Sequence, residues 1–281
     1  MKSLCIKENN NEVLSFINDK LSKLDPSFVS IKNTKFKLYK NIIIHNKLDN
    51  TEAFYDKISS ILTDTIIHFY EKKLLKRILE YNYFYFNSLE KKEIIEIAKS
   101  FIESDLITEE DNFFAVYSAV SDYIQKNKSL VLEGFVNFRL SNYMKNLDYI
   151  VDLSVNKFIT DKEYLEFVNM LKLYITLTPP KSSLVHLVYF GGESILLDKD
   201  RNIIPLDDEN LSTKYLSDIS FSSNDYALNT LLNLPPRRLI IHLMDKNNCD
   251  EFINTLKLIF DNRYEICSSC ELCKLYKIGF N

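Results

Sequence analysis

The sequence predicts an α+β protein: a central helical layer, flanked by a small N-terminal α+β segment and a C-terminal α/β module with a β-α-β-α-β unit. Three observations carry this prediction. No proline interrupts the stretch from Thr51 to Thr176, and Gly134 is its only glycine. Apolar residues recur through that stretch at helical spacing. After Thr176 come five of the six prolines and three of the four glycines, and the apolar pattern turns to short runs. Residues 1–50, 51–176 and 184–281 are therefore the expected divisions, with the Pro- and Ser-rich run Thr176 to Ser183 as the boundary.

In order, residues 3 to 7 read as a short strand. Glu12 to Leu24 reads as a helix through Val13, Phe16, Ile17, Leu21 and Leu24, stopped by Pro26. Phe28 to Ile31 and Phe36 to Ile44 read as a hairpin joined by Lys32-Asn33-Thr34. Ile58, Ile61, Leu62, Thr65, Ile66, Phe69 and Leu75 trace a helical stripe. A second helix opens at Ser88 and runs through Ile94, Ile95, Ala98, Phe101 and Ile102. A third helical stretch begins near Asn112, with the stripe Val136, Leu140, Tyr143, Leu147 and Ile150. A last helix covers Asp161 to Leu173, capped by Thr160 or Asp161.

Beyond the boundary, Leu184 to Phe190 and Ser194 to Leu197 flank Gly191-Gly192 as a hairpin. Asp198 to Asn202 is a turn. Strand Asp218 to Phe221, helix Asn224 to Leu234, strand Arg237 to Met244, helix Cys249 to Phe260 and strand Tyr264 to Cys267 then alternate. Alternation of that kind argues for parallel pairing.

The 281 residues are 46% hydrophobic and 26% charged, enough to bury a sizeable core. Four glycines form no P-loop and no dinucleotide turn, and four histidines form no H-E-x-x-H helix. No G-x-S-x-G elbow occurs either. The net charge of −4 and the lack of a dense basic patch argue against nucleic acid as a partner. The first ten residues hold no apolar core of a signal peptide. No run approaches the ~18 apolar residues of a membrane span. A cytoplasmic protein is expected, in which thiols stay reduced and clustered cysteines read as a metal or redox site.

Cys267-x-x-Cys270-x-x-Cys273 is such a cluster, three thiols in seven residues at the end of an expected strand. Zinc takes four tetrahedral ligands, and Cys249 or His242 is the candidate fourth. A Cys₄ set would also suit an iron–sulfur cluster, although the Cys-Pro that completes a ferredoxin motif is missing. Zinc is the favoured ion. Reduced thiols without a metal, and a redox dithiol, remain open alternatives.

Arginine is scarce, with six among 35 basic residues. Arg139 sits beside an apolar helical stripe, where it can clamp an anion, anchor an interface, or pair with a carboxylate such as Glu163 or Glu166. The pairing is the commoner arrangement. Glu163 and Glu166 share one helix face. Arg237, Arg238 and Arg263 fall at the starts of strands, which favours structural pairing with Asp218, Asp225 or Asp261 over a ligand site. Ser220, Ser222 and Ser223 precede a helix, where a cap is the simpler reading than an anion site. His186 and His242 each alternate with apolar neighbours, as core histidines do. Tyr81, Tyr83, Phe84, Tyr85 and Phe86 make either an aromatic contact surface or an ordinary packed helix end. No catalytic set can be assembled.

Four segments together resemble the YtxC family, sporulation proteins of spore-forming bacteria. They are Gly134 to Leu140 with Tyr143; Glu163 to Phe167 leading into Leu171; Asp218 to Ser220 through Asp225 to Pro235 and His242; and Ile259 to Cys267 closing with Ser269, Cys270 and Cys273. The resemblance spans about residues 130 to 273, and before that it is one of length and layout. A glycine is expected just before the middle cysteine, where this chain has Ser269; a tight knuckle there often uses a left-handed residue. The resemblance implies a role in sporulation and brings no reaction with it. The resulting expectation is a non-enzymatic protein acting through protein partners, its cysteine knuckle structural. The alternative is a metal-dependent or redox enzyme centred on the cysteines.

Overall fold

The computed structural model describes residues 2–36, 38–47, 50–104, 109–205, 222–244, 250–267 and 269–274, with the backbone alone at 109–111. The architecture is α+β, with two four-stranded sheets among the described residues. The chain divides into two compact units, Met1–Thr160 and Asp161–Asn281.

In the first unit, β1 (Ser3–Glu8), α1 (Asn11–Ser22), β2 (Val29–Phe36) and β3 (Tyr39–Asn46) come first, and β4 (Ser129–Val131) joins them later. The sheet order is β2-β3-β1-β4, with β1 antiparallel to β3 and parallel to β4. Alternation sets its buried face, with Leu4 and Ile6 on β1 beside Ile42 and Ile44 on β3. The hairpin forms, but not at the expected turn. Lys32, Asn33 and Thr34 lie within β2, and the ladder runs on to Phe36 opposite Tyr39. Continuing the ladder pairs backbone groups that a turn at 32–34 would have left open. The three-residue strand β4 went unread because its only support is non-local: Cys5, Ile6 and Lys7 of β1.

Helices α2 (Thr51–Asn82), α3 (Ser88–Glu103), α4 (Glu109–Lys126) and α5 (Leu132–Arg139) follow in this unit. The core gathers Phe54, Ile58, Leu62 and Leu79 of α2, Ile94 and Ala98 of α3, and Val116 and Val120 of α4. The starts of α1, α2 and α3 are satisfied by side chains the sequence supplies, while Val131 before α5 gives no side-chain cap. Asn10 accepts from Glu12 N–H and Asn50 from Ala53 N–H, while Asn87 and Glu90 form a reciprocal capping box. Tyr70 donates to the buried Glu8 carboxylate at 2.8 Å, and Tyr143 donates to Glu71 at 2.7 Å. The expected short helix at 161–173 is the end of one helix, α6 (Ser141–Leu177), which crosses the boundary between units. No proline or glycine falls in that span to break it.

The second unit carries β5 (Ser182–Phe190), β6 (Glu193–Leu197), α7 (Ser223–Asn233), β7 (Pro236–Leu243), α8 (Glu251–Phe260) and β8 (Tyr264–Cys267). The order is β6-β5-β7-β8; β5, β7 and β8 are parallel and β6 is antiparallel to β5. The expected strand at 218–221 lies outside the described residues. Val185, Leu187, Leu239 and Ile241 form one face and pack on Ala227 and Leu231 of α7 and on Ile253, Leu256 and Ile259 of α8. Ser222 caps α7 in a capping box with Asp225, and Asp250 caps α8.

Gly191 and Gly192 make the β5–β6 turn with φ of 59° and 86°. A side chain at such angles costs about 1–2 kcal/mol, except that Asn adopts the left-handed region readily. We therefore expect Gly192→Val to lower unfolding stability by about 1–2 kcal/mol, and Gly191→Asn by only a few tenths. Urea unfolding curves of the two variants check this.

Candidate metal centre

The second face of the C-terminal sheet is set by the same alternation. In the parallel register Val188 of β5, His242 of β7 and Cys267 of β8 lie side by side. After Cys267 the chain doubles back. Residues 271–274 form one helical turn, tied by Lys274 N–H donating to the Cys270 carbonyl at 3.0 Å. That turn returns Cys270 and Cys273 to His242. Val188, Leu197, Met244 and Leu272 wall the place in, with Cys273 fully buried among them.

Four donor atoms converge. His242 Nδ1 lies 3.4 Å from Cys273 Sγ and 3.5 Å from Cys270 Sγ. Cys273 Sγ lies 3.6 Å from Cys270 Sγ and 3.9 Å from Cys267 Sγ. All four ligand atoms fall within 4.8 Å of one another. A tetrahedron with Zn–S bonds of about 2.3 Å has edges of about 3.8 Å, close to the four spacings of 3.4 to 3.9 Å. His242 and Cys267, Cys270 and Cys273 can thus hold a metal ion such as zinc.

The electrostatics agree with that donor set. Burial lowers the His242 pKa to about 4, with His186 and Arg201 adding to the effect. Burial, then Arg201, also lowers that of His186. Both rings are neutral near pH 7, the form in which imidazole ligates. Burial pushes the Cys273 thiol up to about 12. The Cys267 thiol moves the other way, chiefly because the backbone N–H of Ser269 donates to it. A cation among the sulfurs deprotonates coordinating thiols outright. Ser269, where a glycine was expected, has no left-handed backbone; among the described non-glycine residues only Arg201 and Asp261 have positive φ. Serine fits because this position presents its N–H to a sulfur without that conformation.

Of the two candidates for the fourth position, His242 is with the three cysteines, and Cys249 lies outside the described residues. His186 has a part the sequence did not assign: its Nδ1 lies 2.9 Å from His242 Nε2. A signal was present in the like strands Val185-His186-Leu187 and Ile241-His242-Leu243, which parallel pairing brings together.

The remaining candidates disperse. Exposed Arg139 lies over the ring of Tyr123, 5.9 Å from its centroid, where the sequence suggested a carboxylate. Glu163 and Glu166 are exposed on α6. Arg238 pairs with Glu265 at 2.8 Å, and Asp261 with Lys172 at 2.8 Å. Asp225 is engaged with Ser222, so a carboxylate already stands at that helix start and disfavours an anion there. Arg237 is exposed, and the Arg263 guanidinium keeps one buried nitrogen without a hydrogen bond. Asp218 and Ser220 lie outside the described residues. No described helix is long and apolar enough to cross a membrane.

Fold and site together define an α+β protein with a His–Cys₃ cluster suited to a metal. The chain belongs to the YtxC-like family, whose model matches residues 56–265. It is 20% identical over 214 residues to the uncharacterized protein YtxC of Bacillus subtilis (strain 168), covering 73% of this chain and 74% of that one. No solved structure matches it. The matched span includes His186 and His242 and ends two residues before Cys267.

Arg238 and Glu265 are both more than half exposed. An exposed pair of this kind contributes about 0–1 kcal/mol. Arg238→Ala should therefore move the unfolding midpoint little and leave metal content unchanged, as denaturation and elemental analysis of the same preparation would report.

Proposed function

We propose that this is a sporulation-associated protein that acts through protein contacts rather than catalysis, and that His242, Cys267, Cys270 and Cys273 hold a structural zinc ion. The observation that carries the zinc reading is closure of the donor set. Three thiols and one imidazole would take all four positions of a tetrahedral ion and leave none for water or substrate. Catalytic zinc sites keep one such position open. Sporulation rests on the family resemblance. Contact through protein surfaces is supported by the aromatic run at the end of α2 and just beyond it. Tyr81, Phe84 and Tyr85 are 85%, 75% and 63% exposed, while Tyr83 and Phe86 pack against the core. Large exposed aromatic residues in one place are typical of contact surfaces.

Elemental analysis of the full chain, purified without oxygen, should find one zinc per chain, and Cys267→Ser with Cys270→Ser should lose it. A free ion at a thousand times its dissociation constant stabilises the native state by about 4 kcal/mol, so a chelator should lower the unfolding midpoint of the wild type alone. Iron in place of zinc, with visible absorption, would favour the redox enzyme instead. In the sporulating host, the double serine variant should form heat-resistant spores as poorly as a deletion. Normal spore counts in the deletion would overturn the assigned role.

A further inference from the structure

His242 has two ring nitrogens, and the fold gives each a different neighbour. Nδ1 faces the sulfurs of Cys273 and Cys270, at 3.4 and 3.5 Å. Nε2 faces His186 Nδ1 at 2.9 Å. Strand register produces this arrangement. His186 pairs with Ile240 and Val188 pairs with His242, so the two histidines sit diagonally on one face of adjacent parallel strands. Their rings lie 5.2 Å apart at 29°.

Two neutral imidazoles that share a hydrogen bond have one proton between the facing nitrogens, and its position decides what the far nitrogen can do. If His186 Nδ1 carries it, His242 must carry its own proton on Nδ1, directed at the thiols, and that nitrogen cannot ligate. If His242 Nε2 carries it, His242 Nδ1 presents a lone pair to the place where the three sulfurs meet. His186 then accepts at Nδ1. Metal-bound histidines commonly donate their second N–H to a fixed acceptor, which sets both tautomer and ring orientation.

We propose that His186 is a positioning residue for the metal centre: it accepts the Nε2 proton of His242 and so makes Nδ1 the ligating nitrogen. This rests on the zinc reading above. The acceptor is itself a histidine on the neighbouring strand, where a carboxylate or backbone carbonyl is the usual choice.

The test uses the zinc-loaded full chain with ¹⁵N-labelled histidine. Long-range ¹H–¹⁵N spectra should show His242 metallated at Nδ1 and protonated at Nε2. His186→Phe keeps a ring but removes the acceptor, and zinc affinity by chelator competition should fall about 10–100-fold. His186→Gln restores an acceptor and should recover most of that loss. In a His242→Cys background the ligand needs no such acceptor, and His186→Phe should then change affinity little. Equal losses in both backgrounds would mean that His186 only packs, and would overturn the inference, as would metallation at Nε2 or an unchanged affinity in His186→Phe. A wild-type chain that takes up no metal overturns the centre itself, and this inference with it.

Discussion

Parallel pairing of β7 with β5 on one side and β8 on the other fixes the C-terminal unit down to single atoms. A strand alternates its side chains, so choosing which residues of β7 face α7 and α8 also chooses which do not. Leu239, Ile241 and Leu243 go to the helices. His242 is thereby forced to the opposite face, and the register sets Cys267 beside it. A slip of one residue would put the histidine into the apolar layer and scatter the cluster. The packing that stabilises the sheet and the geometry of the donor set are one constraint.

That constraint shapes the chemistry. A charged imidazole at His242 or a lone thiolate at the buried Cys273 would cost several kcal/mol, so these two groups stay neutral when nothing compensates them. Burial acts on His242 and Cys273 in the same sense, since it disfavours the charged form of each. A cation reverses the sign for the sulfurs and leaves the imidazole in the form it already has. That environment resists a protonated His242 and an isolated Cys273 thiolate alike, and an ion that prefers soft ligands would suit it.

Much of this was legible because it is local. Ser222, one of the two serines read as a cap, stands one residue before α7, and Gly191-Gly192 marks a hairpin that exists. The C-x-x-C-x-x-C spacing brings its own three thiols together. What escaped reading is what depends on distant partners. β4 exists only through β1, and the turn at Lys32 to Thr34 is absent because the ladder reaches Phe36. The contact of His186 with His242 spans 56 residues of sequence, and only the sheet makes it. Arg237 and Arg238 lie at the start of β7 and Arg263 just before β8, but the expected aspartate is not the partner of Arg238. Arg238 takes Glu265 from the neighbouring strand, which pairing with β8 brings alongside.

The segment after β8 is where a bound metal would matter most to this chain. Ordering a backbone costs about 1–2 kcal/mol per residue, and residues 269–274 must all be fixed to present Cys270 and Cys273. The apolar anchor that this segment contributes is Leu272, 5% exposed and worth about 1.5–3 kcal/mol. The rest of its contact is made by sulfur and by the hydrogen bond from Lys274 to Cys270. These terms alone fall short of the entropy they oppose. A structural zinc ion contributes about 10–16 kcal/mol in small cysteine–histidine sites, which would more than cover that shortfall. With a metal, ordering of the tail and formation of the site are a single event, and the sheet that carries His242 is the surface on which it happens.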